Sequence, residues 1–298
     1  MARAQEKTES GFAAQTGVGP TFLVAIEQQF PTDQRIIHDG LAKQILPFGY
    51  KVFLGLTQIS WIRDWMVRAT DKQAHGIWSG VMCRKRYIDD KVAEAVAGSV
   101  ETVVNLGTGH DTRAYRLQSL ANVPVWEIDQ PVNIEAKRSS LQKVFGEIPS
   151  HVTLVPIDFN RQELGTVLAS HGYAADTKTF FIWEAVTQYL TEAGLHQTFD
   201  FLAQAPAGSL LAFTYVRKDF IEGKARYEQE TVYKRFVVRE KAWHFGFDPE
   251  EVADFLSEYG WRVLEHHGYD DLAERYLKPT GRKLPSMAIE RMVYAEKL

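Results

Sequence analysis

Cysteine is almost missing from this chain: Cys83 is the only one among 298 residues. That excludes a disulfide-stapled fold and a thiolate cluster around a metal. A lone thiol suits a reducing compartment, and the cytoplasm is the expected location. No Cys-x-x-Cys pair and no His-Glu-x-x-His run occurs, so the common zinc signatures are absent and no metal is expected. Charge of one sign is also lacking. Lys plus Arg total 34 against 38 Asp plus Glu, a formal net charge of −4. No global field therefore draws the chain to nucleic acid or to an anionic membrane, and neither is expected as a partner. Apolar runs are strand-sized, as in Ser209 to Val216, well short of the roughly 20 residues that cross a bilayer. The first twenty residues hold no apolar stretch of the signal-peptide kind. What remains is an ordinary globular composition, 45% hydrophobic and 24% charged, in a chain long enough to bury a core unaided.

Along the chain, residues 1–20 read as a flexible tail and 21–97 as a helical cover. Ile45, Phe48, Val52 and Leu56 recur at helical intervals, Trp61, Trp65 and Met66 follow, and Arg84 to Val96 forms a further helix. The pattern changes at Ser99. Strands are predicted at Glu101–Leu106, Val123–Ile128, Val152–Ile157, Thr179–Trp183 and Ser209–Val216. Amphipathic helices at 111–120, 132–145, 161–171 and 191–204 separate them. Strand and helix in repeated alternation predict parallel strands with crossover helices. Residues 217–247 are charged and aromatic without strand periodicity and read as a helical lid inserted in a core of residues 98–298. Asp248, Pro249 and Glu251 carry a cap, a first-turn proline and a capping-box acid, and the helix they start ends near Gly260. Trp261–Glu265 and Ala288–Ala295 read as a closing hairpin.

Four constellations carry chemistry. In Val103-Val104-Asn105-Leu106-Gly107-Thr108-Gly109-His110-Asp111 a strand runs into a Gly-x-Gly turn ahead of a helix. Gly107 and Gly109 allow positive φ and close approach of a ligand, or simply a tight connection. The third glycine of a dinucleotide fingerprint is replaced by Asp111, whose charge would repel a pyrophosphate and is better tolerated by a ligand carrying an amine. Asp129 follows about 20 residues on, where an acid can accept from ribose hydroxyls or can stand solvated before Pro131. Asp158 closes the third strand and could meet an adenine amino group under Phe159, or cap the next helix. Glu184 ends the fourth strand at the sheet's carboxyl edge, with Tyr189 on the following turn; it too could be a cap.

Taken together, Arg-x-Arg-Tyr-Ile-Asp-Asp (84–90), Val-Val-Asn-Leu-Gly-x-Gly-x-Asp-Thr-Arg-Ala-Tyr-Arg-Leu (103–117), Trp-Glu-Ile-Asp-x-Pro (126–131), Ile-Asp-Phe (157–159) and Trp-Glu-Ala-Val-x-x-Tyr-Leu (183–190) resemble the leucine carboxyl methyltransferase family. The bacterial branch is the most similar, and the resemblance spans residues 21–215. It implies an α/β fold with a Rossmann-like class I methyltransferase sheet of seven strands and an antiparallel terminal hairpin. It also implies S-adenosyl-L-methionine (SAM) as cofactor and O-methylation as the activity. By the same resemblance Gly107 and Gly109 would pass the methionine part of the cofactor. Asp129 would hold the ribose, Asp158 and Phe159 the adenine, and Glu184 would lie near the methionine moiety. Arg86, preferred over Arg84, would bind a carboxylate near the methyl group, with Tyr189 beside it.

A carboxylate acceptor needs no general base, since its ordinary pKa is about 4. A hydroxyl acceptor would need one, and His244 and His110 are the candidates. Phe220, Tyr227, Tyr233, Phe236, Trp243 and Phe247 of the lid could line a pocket for a flat or apolar acceptor, with Trp183, Tyr189 and Tyr215 facing it, or could equally serve helix–helix or dimer packing. The expected partner is a small organic acid or acidic hydroxyl compound, a polyketide-like one by the resemblance to that family branch, with a protein C-terminus second. Monomer and homodimer both stay open. The rival readings are a cofactor-binding sensor or scaffold without turnover, and a nicotinamide oxidoreductase, which Asp111 disfavours.

Overall fold

Strand β1 (Thr102–Leu106) is buried along its whole length and is paired on both edges. β2 (Val125–Asp129) lies on one side and β4 (Thr179–Trp183) on the other, both parallel to it. β3 (Val152–Pro156) extends the sheet beyond β2, and β5 (Leu210–Val216) beyond β4. The last two strands, β6 (Trp261–His267) and β7 (Glu290–Lys297), are antiparallel, and β7 inserts between β5 and β6. The seven-stranded order is β3-β2-β1-β4-β5-β7-β6. This is the mixed α/β sheet expected, with its terminal hairpin. The order reverses between β1 and β4, and at such a switch point the strand ends splay apart and leave a crevice at the carboxyl edge.

The structure is a computed structural model describing residues 17–298 apart from Asn160. Residues 1–16 of the expected tail lie outside the described residues, and Val18 to Pro20 already belong to helix α1 (Val18–Glu27). The N-terminal helices continue with α2 (Phe48–Leu56), α3 (Ser60–Gln73) and α4 (Ile77–Ala97). Crossovers are made by α5 (Pro131–Phe145), α6 (Leu164–Ser170) and α7 (Glu192–Leu202). Pro131 supplies the first residue of α5, where its missing N–H costs nothing. Glu163 caps α6 by accepting from the Gly165 and Thr166 amides. Thr191 caps α7. Strand alternation sorts the core: Val103, Phe180 and Ile182 face the cluster that holds α1 and α4, while Val104, Phe181 and Trp183 face the opposite one. No helix among the described residues is long and apolar enough to cross a membrane.

Three expectations are corrected. The helix predicted over 111–120 shrinks to a turn at Arg113–Arg116 and a 3-10 turn at Gln118–Leu120. The Asp111 side chain takes the Arg113 amide, and Leu117 is extended. The helix predicted from Asp248 starts only at Val252, as α8 (Val252–Glu258). Asp248 closes a local turn instead, its carbonyl accepting from the Glu251 N–H at 3.1 Å. Ile45, Phe48, Val52 and Leu56 are helical but not one buried stripe. Pro47 separates two helices, and Phe48, Val52 and Leu56 face outward.

Candidate functional site

The crevice at the β1/β4 switch point opens into a cavity of about 510 Å³. Its floor is the turn after β1. The Gly107 and Thr108 amides both donate to the Ile128 carbonyl, at 2.8 and 2.9 Å, which folds the turn against β2. Gly107 has φ +72° and Gly109 φ +47°. A Cβ on Gly107 would stand 2.4 Å from Val186 Cγ2, so glycine is required there by space as well as by conformation. Gly109 donates its amide to Asp129 Oδ2 at 2.6 Å. Asp129 Oδ1 accepts from the Gln130 amide and from Asn133 Nδ2, each at 2.7 Å. Burial pushes the Asp129 carboxyl upward, against those hydrogen bonds. A carboxylate offers about four acceptor positions, so Asp129 keeps capacity for a hydroxyl in the cavity.

The wall beside this turn is an ionic cluster on Glu184, which follows β4. Arg84 Nε donates to Glu184 Oε1 at 2.7 Å, and Arg113 Nη1 to Oε2 at 2.7 Å. Lys85 Nζ stands 3.3 Å from Oε1. Burial alone would raise the Glu184 pKa, but Lys85, Arg113 and Arg84 hold it well below the usual carboxylate range. Arg84 also grips Glu290 at 2.9 Å, tying α4 to β7. Arg113 pairs with Asp111 and, at 2.7 Å, with Asp89. For Asp111 burial again acts upward, and Arg113 and Lys85 bring it down to about 2. The cavity lining thus counts four carboxyl groups, Asp111, Asp129, Glu184 and Glu290, against two cations, Arg84 and Lys85. His110, also in the lining, is held near 4 by burial and by Lys137, so it is neutral at pH 7.

After β4 the chain turns sharply. Ala185 adopts φ 58°, a left-handed conformation unusual for a residue with a side chain and worth about 1 kcal/mol of strain or more. Thr214 holds this turn from both sides. Its hydroxyl accepts from the Ala185 amide at 2.8 Å, and its carbonyl accepts from the Thr187 hydroxyl at 2.9 Å. The turn carries Val186, Gln188, Tyr189 and Leu190 over the cavity. Here the lining becomes apolar, with Ile77 and Val81 from α4, Val232, Phe236 and Trp243 from the 217–247 segment, and Met287. Phe236 and Trp243 stack with centroids 4.7 Å apart, and Tyr189 meets Trp243 edge-on at 6.2 Å. Gln188 Oε1 and Trp243 Nε1 are buried without a hydrogen-bond partner. His244 lies at the exposed rim, its backbone amide donating to the Gln188 carbonyl at 2.7 Å.

Of the residues singled out from sequence, Gly107, Gly109, Asp129, Phe159, Glu184 and Tyr189 come together around this cavity. Two do not. Arg86 is directed away, paired with Asp90 at 3.0 Å one turn along the same helix, and Arg84 takes the cavity-facing position instead. Asp158 lies outside the lining, with its side chain 3.5 Å from Arg161 and its backbone N–H donating to Gln162 Oε1. Phe236 and Trp243 line the cavity, whereas Phe220 packs behind them against Tyr233 and Trp243. Trp183, Tyr215 and Phe247 belong to the core beneath the sheet. Sequence reasoning missed Lys85, Asn133, Gln188 and Glu290 as lining residues, and Arg113 as the clamp behind Glu184. Arg113 stands inside the Asp-Thr-Arg motif, so the signal was present; Glu290 offered none.

A family model described as "Leucine carboxyl methyltransferase" matches residues 17–203. A protein of Mycobacterium avium (strain 104), named "Putative S-adenosyl-L-methionine-dependent methyltransferase", is 27% identical over 298 residues, covering 92% of this chain and 94% of that one. A protein of Mycobacterium marinum (strain ATCC BAA-535 / M) with the same name is 31% identical over 191 residues, 61% of this chain and 62% of that one. Among solved structures, a DUF574 family protein from Streptomyces avermitilis MA-4680 shares the fold with a TM-score of 0.56 at 12% identity, covering 79% of this chain and 90% of that one.

Proposed function

This chain belongs to the leucine carboxyl methyltransferase family, and we propose that it is a SAM-dependent O-methyltransferase acting on a carboxylate or acidic hydroxyl of a small apolar acceptor. The full-length relatives named as SAM-dependent methyltransferases support the cofactor. One observation carries the reading: four carboxyl groups against two cations line the polar end of a cavity whose other end is aromatic. With Arg113 behind Asp111 and Glu184 counted, the four carboxyl groups face three cations, and the one remaining negative charge suits a ligand with ammonium and sulfonium groups and opposes a pyrophosphate.

When bound, the cofactor supplies an electrophilic methyl group. The chain's residues supply position and environment. Asp129, with its remaining acceptor capacity, takes ribose hydroxyls. Gly107 and Gly109 let the ligand lie against the backbone, and Phe159 covers the base. Asp111 and Glu184 give the glycine turn its negative charge, while Arg113 fixes both carboxylates in place. Methyl transfer is an in-line displacement, so its rate depends on alignment and on keeping water out. Ile77, Val81, Phe236, Trp243 and Met287 exclude water and clasp the apolar body of the acceptor. Arg84 and Lys85 are the cations that orient a carboxylate, already ionised at neutral pH. For a hydroxyl acceptor, His110, Gln188, Tyr189 and the rim histidine His244 are polar groups in the same lining.

The test is calorimetric titration with SAM, its demethylated product and NAD in parallel, followed by a screen of aromatic carboxylates and phenols for acceptor-dependent formation of S-adenosylhomocysteine. Binding of the first two ligands and turnover with a carboxylate or phenol are expected. Binding of NAD alone would return the glycine turn to an oxidoreductase. Cofactor binding with no turnover on either class would make the protein a sensor or scaffold.

A further inference from the structure

A nine-residue helix that buries one side chain is unusual, and α2 is such a helix: only Leu54 is buried. Yet its sequence, Phe48-Gly49-Tyr50-Lys51-Val52-Phe53-Leu54-Gly55-Leu56, is apolar nearly all round. Helices of that kind are normally covered on every side. Here Phe48 is 81% and Phe53 62% exposed, and on α3 Trp61 is 69% and Trp65 60% exposed. Val52, Leu56 and Ile59 are each about half exposed between them. Taking about 200–250 Å² per aromatic residue, the four rings alone leave roughly 600 Å² open. With Val52, Leu56 and Ile59 the exposed apolar area approaches roughly 800 Å², above the largest patch of a typical monomer and equal to one partner's share of a standard interface.

We propose that the outer face of α2 and α3 is the surface through which two copies of this chain form a two-fold dimer. The area decides in favour of a protein occupant of this size, and a two-fold axis lets one apolar patch cover itself. Charge decides against a lipid surface. Between Leu46 and Ile62 the single charged residue is Lys51, and its ammonium is bound to the Gln44 carbonyl at 2.7 Å. A helix lying on anionic lipid carries a lysine- and arginine-rich face; α2 has none, and on α3 Arg63, Arg68 and Lys72 are interleaved with Asp64 and Asp71, with Arg63 3.4 Å from Asp64. Gly49 adds a geometric hint. It shares the stripe of Val52, Phe53 and Leu56, and a Cβ there would meet nothing within 4 Å. Glycine weakens a helix, and this position gives nothing back within the monomer; it lets a second backbone approach closely.

The dimer also bears on the cavity. Tyr50 of α2 packs edge-on against Phe22 of α1 at 5.2 Å, next to Pro20 and Thr21 in the cavity lining. Ala74, directly after α3, lies in that lining too. A partner seated on α2 and α3 would buttress the mouth of the site.

The experiment is light scattering coupled to size-exclusion chromatography across the micromolar range, on wild type and on the Phe53→Glu/Trp65→Glu double variant. Leu56→Lys serves in its place if the double variant does not fold. Wild type is expected at twice the chain mass and the variant at the chain mass, with a cooperative unfolding transition retained and a thermal midpoint that no longer rises with protein concentration. Wild-type protein that stays monomeric overturns the proposal, and so does a variant that stays dimeric. Monomeric wild type that sediments with phosphatidylglycerol vesicles would assign the face to lipid instead.

Discussion

Alanine at Gly107 separates space from conformation. The new methyl would stand 2.4 Å from Val186 Cγ2, 3.2 Å from Cγ1 and 3.3 Å from Cβ. Two penalties add: about 1–2 kcal/mol for a Cβ in the left-handed region and about 1–3 kcal/mol for overpacking. A total of about 2–5 kcal/mol follows, or a fall in thermal midpoint of about 4–10 °C for a chain of this size. Val186→Ala removes both γ carbons and with them the closest contacts. In the double variant Gly107→Ala/Val186→Ala the overpacking share therefore disappears, and only the conformational share and the loss of the Val186 methyls remain. The two substitutions should couple by about 1 kcal/mol or more, measured as a double-mutant cycle in urea unfolding. Gly109→Ala is the control: its nearest neighbour is Gly17 Cα at 3.7 Å, so only the conformational penalty of about 1–2 kcal/mol applies. Additive effects at 107 and 186, within about 0.5 kcal/mol, would refute the reasoning that the 186 turn is seated on the glycine turn.

Other substitutions test the polar wall. Asp129→Asn should weaken SAM binding about 10- to 100-fold by calorimetry, the worth of a hydrogen bond to a charged group, and should also lower the unfolding midpoint, because one of the two buried oxygens that accept from Gly109, Gln130 and Asn133 becomes an NH2. Arg84→Met leaves Glu290 and part of Glu184 buried without their cation and should cost about 3–5 kcal/mol of stability in urea unfolding. Arg86→Ala removes only a part-exposed pair with Asp90 and should cost under about 1 kcal/mol. Acid should destabilise the fold through His110. Its folded pKa, about 4, lies below the ordinary 6.5 because of burial and then Lys137. The unfolded chain therefore binds the extra proton between those values, and stability is full above pH 6.5 and falls as pH drops towards 4. The loss is about 3 kcal/mol over that window, read from urea midpoints at pH 7.5 and 4.5, and His110→Asn should flatten it.

The alternation of strands and crossovers was legible because each element carries its own period, and so was the hairpin. The insertion of β7 between β5 and β6 was not, since periodicity says nothing about neighbours across a sheet. The confusion of Arg86 with Arg84 has a geometric origin. Residues two apart on a helix point to nearly opposite sides, and the sequence around them does not say which side meets the sheet. The place of Asp158 outside the cavity lining has a similar reason. An acid after a strand can turn into the crevice or outward, and here Arg161 lies outward. Phe48, Val52 and Leu56 displayed helical spacing, which marks an apolar face without telling whether this chain or another covers it. The ionic cluster was half visible. Glu184 and Arg113 sit in the motifs, but their partner Arg84 is completed by Glu290 from a strand far along the chain.

That last contact has a consequence for how the protein is made. β7 follows every other strand in chain order, yet it occupies an interior place in the sheet. During translation β1 to β6 emerge first, and β5 must wait with one edge unpaired while β6 has no neighbour at all. Glu290 travels with that late strand, so the buried guanidinium of Arg84 lacks half of its counter-charge until β7 docks. The crevice is thus among the last parts of the molecule to acquire its charges, and a nascent chain should bind no cofactor until synthesis has passed residue 297.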